Sequence, residues 1–95
     1  MFSFGFIHEL WLTPDEDGEL LPSCIAFGPS GNVARNLLES GSYCVWMFWA
    51  NSHVEAMQTY YDYLGFGKYT TDQQWDFERY PENWYSEQND YLQSL

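Results

Sequence analysis

Apolar and polar positions alternate along the first 27 residues, in the pattern of strands that bury one face. Aromatic side chains recur at every second position from Phe2 to Phe6, and residues 2–12 are predicted as the first strand. The sequence TPDEDG at 13–18 combines proline, aspartate and glycine, which favour a tight turn. Residues 19–27 then predict a second strand that returns antiparallel to the first.

A helix and a strongly apolar strand are predicted next. The sequence GPSG ends the extended run, and Ser30 is the predicted N-cap of a helix that continues to about Glu39. Val33 and Leu37 would form its apolar side. Residues 43–50 are apolar at both alternating sets of positions, which is typical of a central strand or of a strand whose second face meets a partner. The helical link is long enough for a parallel crossover between the second and third strands.

The clearest local signal in the chain is a capping box. Ser52 and Glu55 have the S-x-x-E spacing in which each side chain accepts a hydrogen bond from the backbone of the other. The predicted helix runs to Leu64, and Gly65 follows it as the left-handed residue that ends many helices. Its apolar stripe consists of Val54, Met57, Tyr61 and Leu64.

The C-terminal third is rich in aromatic and acidic residues. Trp75 and Phe77 alternate with polar residues as in an extended segment, and residues 81–92 predict a short helix. Taken together, the pattern predicts a single α+β domain over residues 1–95. It comprises a small mixed sheet of three or more strands, two helices packed on it and a C-terminal aromatic arm.

Aromatic residues are unusually frequent, and their number affects the predictions for both the hydrophobic core and the oligomeric state. Twenty of the 95 residues are Phe, Trp or Tyr, and each ring can bury about 150–250 Å². A core can therefore form without a metal or a disulfide. The surplus rings and the second apolar face of residues 43–50 exceed what one domain of this size hides, so the sequence predicts a homodimer.

The chain carries a formal net charge of −11, from 14 acidic residues against three basic ones. Such a charge repels phosphate backbones and anionic lipids, which argues against direct nucleic-acid binding and against membrane adsorption. It favours cationic partners, and the sequence predicts a basic protein partner. Two alternatives stay open: the acidity is only a device for solubility, or the surface carboxylates mimic the phosphates of DNA and inhibit a DNA-binding protein.

The cysteines and the apolar runs indicate a cellular compartment. Cys24 and Cys44 lie inside apolar segments without Cys-x-x-Cys spacing, so both are predicted as buried free thiols. Residues 2–6 lack the basic start and cleavage pattern of a signal peptide. The longest apolar run, 44–50, is far shorter than the roughly 20 residues that cross a bilayer. These features predict a reducing cytoplasm and no membrane association.

Several short motifs resemble those of a group of small bacterial proteins of unknown function, of the kind carried on mobile (integron) gene cassettes. The motifs are LPS at 21–23, AFGP at 26–29, VW at 45–46, SH with EAM between 52 and 57, YY at 60–61 and YTTD at 69–72. The resemblance covers residues 20–72. It implies a bacterial cytoplasmic protein, and it supplies no catalytic residues to carry over. The Phe-rich start and the tail after Asp72 depart from it.

No motif in the chain points to a cofactor, a metal or a catalytic centre. His8, His53, Cys24 and Cys44 are the soft ligands available, and none pairs with another at helical ligand spacing. The acidic turn at 15–19 has its glycine at the wrong offset for a calcium loop, and a solvated turn is the better interpretation. No serine or cysteine is set beside a histidine in a recognisable nucleophile motif. An enzyme is therefore not favoured.

A small anion site is the rival hypothesis. Ser30 and Gly31 begin the predicted helix, where backbone N–H groups are free, and Arg35 lies in its first turn. These residues predict an anion-binding loop, or the site of a minor enzyme, at 28–35. The alternative for Arg35 is an ion pair with one of the many acids.

The leading hypothesis is a non-enzymatic acidic protein-interaction module with its binding residues in the C-terminal third. Aromatic anchors rimmed by charge are typical of protein interfaces. The predicted partner-binding residues are Trp84, Tyr85, Tyr91, Glu82 and Glu87. Trp75 and Phe77 are predicted instead to wrap the core.

Overall fold

The computed structural model describes residues 5–95, so the start of the predicted strand 2–12 lies outside the described residues. Strands β1 (Phe6–Pro14) and β2 (Leu20–Ala26) form the predicted antiparallel hairpin. One carboxylate closes its turn: Asp15 Oδ1 accepts hydrogen bonds of 2.8 Å from two backbone N–H groups of the turn. The predicted turn chemistry is confirmed, and this acidic stretch is a self-bonded loop.

Strand β3 (Tyr43–Ala50) pairs antiparallel with β1, which gives the strand order β2-β1-β3. The α+β class is confirmed. However, each neighbouring pair is antiparallel, so the described sheet is not mixed. β2 and β3 run in the same direction with β1 between them, and the crossover from one to the other therefore passes over the central strand. The prediction that β3 is central is wrong, since it is an edge strand among residues 5–95.

The core lies on one face of this sheet. Leu10 of β1 is fully buried, and its register partner Trp46 stacks on Tyr63 of the helix above at 4.8 Å. The other buried apolar side chains on this face are Phe6, Phe48, Ala50 and Ala56, whereas Ile25 pairs with Glu9 and is buried on the opposite face beneath Gly31. His8 is buried among them, stacked on Phe48 with the ring centroids 5.1 Å apart. The alternation of β1 therefore does place one set of side chains inward, as its sequence predicts.

Helix α1 (Asn32–Asn36) is much shorter than predicted. A 3-10 helix over Pro29–Gly31 precedes it, and no side chain caps either element, so the predicted Ser30 cap is wrong. Val33 and Leu37 are 76% and 79% exposed, which also contradicts the predicted apolar stripe. The reason is close packing at Gly31, where a Cβ would clash with the carbonyl oxygen of Ala26. The backbone itself, rather than a row of side chains, rests on the sheet.

Helix α2 (His53–Leu64) has the predicted bounds and caps. Ser52 Oγ accepts a 3.1 Å bond from Glu55 N, while Glu55 Oε1 accepts from Asn51 N and not from Ser52. Gly65 adopts the left-handed conformation at φ 73°. The buried stripe is displaced by about one residue, roughly a quarter of a turn, from the predicted one. Ala56, Met57 and Tyr60 pack on the core, whereas Tyr61 packs on the loop that follows the helix.

The C-terminal third forms a 3-10 turn (Gln74–Phe77) and helix α3 (Glu82–Gln93). The predicted short helix is confirmed within two residues. The predicted extended segment at Trp75 and Phe77 is wrong, and so is the expectation that these rings wrap the core. Both are exposed, at 69% and 58%. The 3-10 turn that carries them packs on α2.

A buried amide joins α3 to the sheet. Gln88 Oε1 accepts a 2.7 Å bond from Ile7 N, and Gln88 Nε2 donates to Ile7 O at 3.0 Å and to Phe27 O at 2.9 Å. These bonds connect the first strand with a residue 81 positions later. Buried backbone groups that lack a partner are costly, so this side chain is a central structural element.

We expect Gln88→Ala to lower the free energy of unfolding by about 2–4 kcal/mol, because Ile7 N and Phe27 O lose the amide as a partner and Ile7 O keeps only its bond from Phe27 N. Urea denaturation followed by tryptophan fluorescence measures it. Gln93→Ala is the matched control, since Gln93 is an exposed glutamine at the end of the same helix. An equal loss in both variants would show that the Gln88 amide is not a structural clamp.

Candidate functional site

An aromatic groove of about 460 Å³ lies where the start of α2, the 3-10 turn and the start of α3 meet. It is lined by His53, Trp75, Asp76, Glu78, Arg79, Tyr80, Pro81 and Trp84. Four of these residues come from the segment between the 3-10 turn and α3, and no single helix or strand supplies the site. The groove therefore exists only in the folded chain.

One wall of the groove is anchored in the core. Trp84 stacks on Tyr80 with ring centroids 5.0 Å apart and also contacts Phe6 at 5.7 Å, yet it stays 42% exposed. Tyr80 is itself fixed at both ends. Its backbone N–H donates to Asn51 O at 2.9 Å, and its hydroxyl lies 3.1 Å from His8 Nε2. This wall is consequently positioned before any ligand arrives.

The opposite wall is built by the 3-10 turn. Thr71 Oγ1 donates a 2.7 Å hydrogen bond to Asp76 Oδ2 and accepts one of 3.1 Å from Gln73 N. These bonds fix the turn and hold the Asp76 carboxylate on the groove. Trp75 stands beside it as the more exposed of the two tryptophans. The wall thus presents a large ring and an oriented negative charge together.

The charged side chains at the groove differ in whether they already have a partner of opposite charge. Arg79, a lining residue, holds its guanidinium 4.3 Å from the centroid of the Tyr85 ring and 3.9 Å from Glu82. Asp76 and Glu78 form no ion pair within residues 5–95. The groove therefore combines indole faces with two carboxylates that no cation of the described chain neutralises.

The side chains beneath the groove have no proton-transfer chemistry suited to neutral pH. Burial lowers the pKa of His8 to about 4, and burial raises the pKa of the Tyr80 hydroxyl. Burial also raises the pKa of the Cys24 thiol to about 11, so the sulfur is not a thiolate nucleophile. His8 is thus a neutral core residue, and residues 5–95 provide no hydrogen-bond partner for its buried Nδ1.

The predicted partner-binding residues are distributed over α3. Trp84 lines the groove, and Glu82 and Glu87 are exposed. Tyr85 donates its hydroxyl to Asn51 Oδ1 at 2.9 Å, and Tyr91 packs on Phe27 with centroids 5.5 Å apart. These two rings hold the helix on the sheet, and Gly28 leaves room for the Tyr91 ring. A role for any of them in partner binding stays a prediction.

Of the eight residues that line the groove, only Trp84 was among the predicted partner-binding residues. Trp75 was expected in the core, and His53, Tyr80 and Arg79 were not expected at a site. The only signal for them is the alternation of rings and acids between 72 and 84. Interpreted as a turn instead of a strand, this segment would have been predicted to expose Trp75.

No family model, curated protein or solved structure matches this chain. The function is therefore argued from the groove and the charge around it. Among residues 5–95, no helix is long and apolar enough to cross a membrane. The same part of the chain contains no group of three or more His, Cys, Asp or Glu side chains arranged to hold a metal ion.

The predicted anion loop is occupied by internal contacts. The Arg35 guanidinium donates to the carbonyl oxygens of Ala26 and Gly28, and its Nε lies 3.7 Å from Glu9 Oε1. The alternative of an ion pair with an acid is confirmed. Ser30 is exposed and Gly31 is buried against the sheet, so the structure does not bring the three predicted residues together around a cavity.

A second depression, of about 500 Å³, lies at the far end of the sheet, beside the hairpin turn. Asp15, Glu16, Asp17 and Glu39 contribute its charge, and Leu21 and Leu37 contribute apolar surface. It contains no aromatic ring. The two acidic stretches therefore lie at opposite ends of β1, about 30 Å apart for a strand of this length, and do not form one continuous face.

We expect the buried His8 to make the fold acid-sensitive. Its pKa is about 4 in the folded chain, against an ordinary value of 6.5. Between these two pH values His8 is protonated in the unfolded chain and not in the folded chain, so protonation favours unfolding. Stability should fall as the pH drops from 6.5 to 4, by roughly 3 kcal/mol at the lower end.

Urea unfolding across this range measures the effect. His8→Phe keeps a ring against Phe48 and should lose less stability between pH 6.5 and 5, where carboxylates titrate little. Gln93→Ala, at an exposed residue without an ionisable side chain, should keep the pH dependence of the natural chain. A pH dependence that His8→Phe retains in full would assign the acid sensitivity to other groups.

Proposed function

We propose that this protein is a non-enzymatic acidic interaction module whose aromatic groove binds a basic protein partner. The observation that carries the proposal is the exposure of Trp75 and Trp84 across one groove that also contains two unpaired carboxylates. Tryptophan is enriched among the residues that anchor protein interfaces, because a large rigid ring buries much apolar area at little cost in entropy.

The charge around the groove supports a cationic partner. The segment from 72 to 90 contains six acidic residues and a single arginine in a chain with net charge −11. A field of one sign accelerates the encounter with the opposite sign, while the buried rings supply most of the affinity. An anionic partner such as a nucleic acid would have to overcome this field.

Two rival functions receive less support from the same structure. A small-molecule site or minor enzyme at the 28–35 loop would need a polar enclosed cleft, yet Arg35 is committed to backbone carbonyls and Glu9. A DNA mimic would need carboxylates along one continuous face, whereas the two acidic stretches lie at opposite ends of β1. The groove is the feature that separates these proposals.

We also propose that the protein is a homodimer joined through β3. This eight-residue strand contains no charged residue, and none of the strands in the described part of the chain covers its outer edge. Tyr43, Val45 and Met47 are exposed along it. A second copy carries the same charge of −11, so an uncharged edge is where two copies can approach each other with the least repulsion.

A bacterial cytoplasmic protein, of the type carried on gene cassettes, remains the proposal for its origin. The short motifs between 20 and 72 support it. Both cysteines are free thiols, and Cys44 is exposed instead of buried as predicted. The bulge opposite Leu10 and Trp11 and the edge position of β3 bring it to the surface. An exposed thiol is compatible with a reducing compartment.

The groove predicts a partner whose binding depends on salt and on one ring. A basic protein retained in a pull-down from host lysate should bind the Trp75→Ala variant more weakly, by about 2 kcal/mol of binding free energy. Raising the salt from low to physiological concentration should weaken this binding further. Phe66→Ala is the matched control, because Phe66 is an aromatic residue exposed outside the groove.

Binding is quantified by calorimetry with the purified partner. Circular dichroism verifies that both variants fold. Trp75→Ala is expected to fold because most of the Trp75 ring is already exposed to solvent. A partner that is indifferent to both salt and Trp75, or equally sensitive to Phe66→Ala, would contradict the proposed groove.

The dimer is tested by light scattering on purified protein. We expect a mass of about twice 11.2 kDa, increasing with salt as the repulsion between like charges is screened. Met47→Lys should weaken the dimer by about tenfold or more, since a lysine on an edge strand opposes strand pairing. Leu95→Lys, the same charge change at an exposed leucine elsewhere, should have no effect. A mass of 11.2 kDa at high concentration and high salt would contradict the dimer.

A further inference from the structure

The chain already shows how its surface holds a cation. Arg79 places its guanidinium over the ring of Tyr85, with a carboxylate of Glu82 3.9 Å away. The cation thus has an aromatic face on one side and an anion on the other. Such an arrangement combines a cation–π contact with Coulomb attraction.

The aromatic groove repeats these components, and the one arginine that lines it, Arg79, is held at Tyr85 and Glu82. Trp75 and Trp84 supply the aromatic faces, and Asp76 and Glu78 supply the carboxylates. Tryptophan is the best aromatic partner for a cation. Because Arg79 is drawn toward Tyr85 and Glu82, its charge does not satisfy the two carboxylates of the groove.

We propose that the aromatic groove binds the guanidinium group of one arginine side chain of the basic partner. This inference rests on the proposed function and names the chemical group that the groove recognises. The guanidinium would lie against the indole faces and pair with Asp76 and Glu78. Of the described grooves, this one combines tryptophan rings with carboxylates that lack an ion pair.

Arginine fits this groove better than lysine for three reasons. Its planar guanidinium stacks on aromatic rings, it is more weakly hydrated than an ammonium, and its fork of donors matches a carboxylate. The groove is open on one side, so a flat group can enter between the walls without a conformational change. An ammonium would keep much of its hydration at such an open site.

The test uses free amino-acid derivatives as ligands, so that it does not depend on a protein partner. N-acetyl-L-arginine amide and N-acetyl-L-lysine amide are titrated separately into the ¹⁵N-labelled full chain at low salt. We expect arginine amide to shift the indole N–H signals of Trp75 and Trp84, with an affinity about fivefold above that of lysine amide.

Matched variants locate the binding. Trp75→Ala and Asp76→Asn should each reduce the arginine affinity by about fivefold. Phe66→Ala and Asp72→Asn should leave it unchanged, since they remove an exposed ring and an exposed acid outside the groove. Asp76→Asn retains an acceptor for Thr71, which keeps the turn intact and makes the loss attributable to charge.

The outcomes separate this inference from the proposed function. No indole shift, equal affinities for the two amides, or equal losses in the control variants would overturn the arginine site. If a basic protein still binds in a Trp75-dependent way, the proposed function stands and only the recognised group is wrong. If arginine amide binds as expected while no protein partner depends on Trp75, the arginine site stands and the proposed function is wrong.

Discussion

The buried amide of Gln88 connects the two ends of the described chain, and the geometry of the groove depends on it. Gln88 is the one buried residue of helix α3 and its aromatic side chains stay partly exposed, so apolar burial alone holds the helix weakly. Gln88 compensates by bonding three backbone groups of Ile7 and Phe27, where the hairpin ladder ends. Trp84 lies one turn earlier on the same helix. Its place above Phe6 follows from this anchoring, since residues four apart share a helix face.

Asn51, directly after β3, is the second point on which the site depends. Its carbonyl oxygen accepts from Tyr80 N, and its side chain accepts from the Tyr85 hydroxyl. The core, the segment before α3 and α3 itself therefore meet at one residue. The wall with Trp75 is attached differently. It follows a loop that Gln58 ties to α2 through bonds to Gly67 and Tyr69. One wall thus belongs to the core and the other to a surface loop.

The fold separates the acidic surface from the uncharged surface. Acidic side chains gather at the two ends of β1, and the strand at the sheet edge has none. At the end that carries the groove, the acids lie beside the exposed rings of Trp75 and Trp84. The β3 edge, in contrast, carries no charged side chain and does not repel a second copy. Recognition of a cationic group and self-association can therefore use separate surfaces.

The sequence by itself determined the features that depend on near neighbours. These are the hairpin turn at Asp15, the Ser52 cap and the bounds of α2, because each rests on bonds within a few residues. Only the tertiary structure decided that β3 is an edge strand, since its apolar pattern fits a central strand equally well. It also decided that Arg35 turns inward and that Trp75 faces solvent. Those outcomes depend on which distant backbone groups need a partner, and a local pattern does not contain that information.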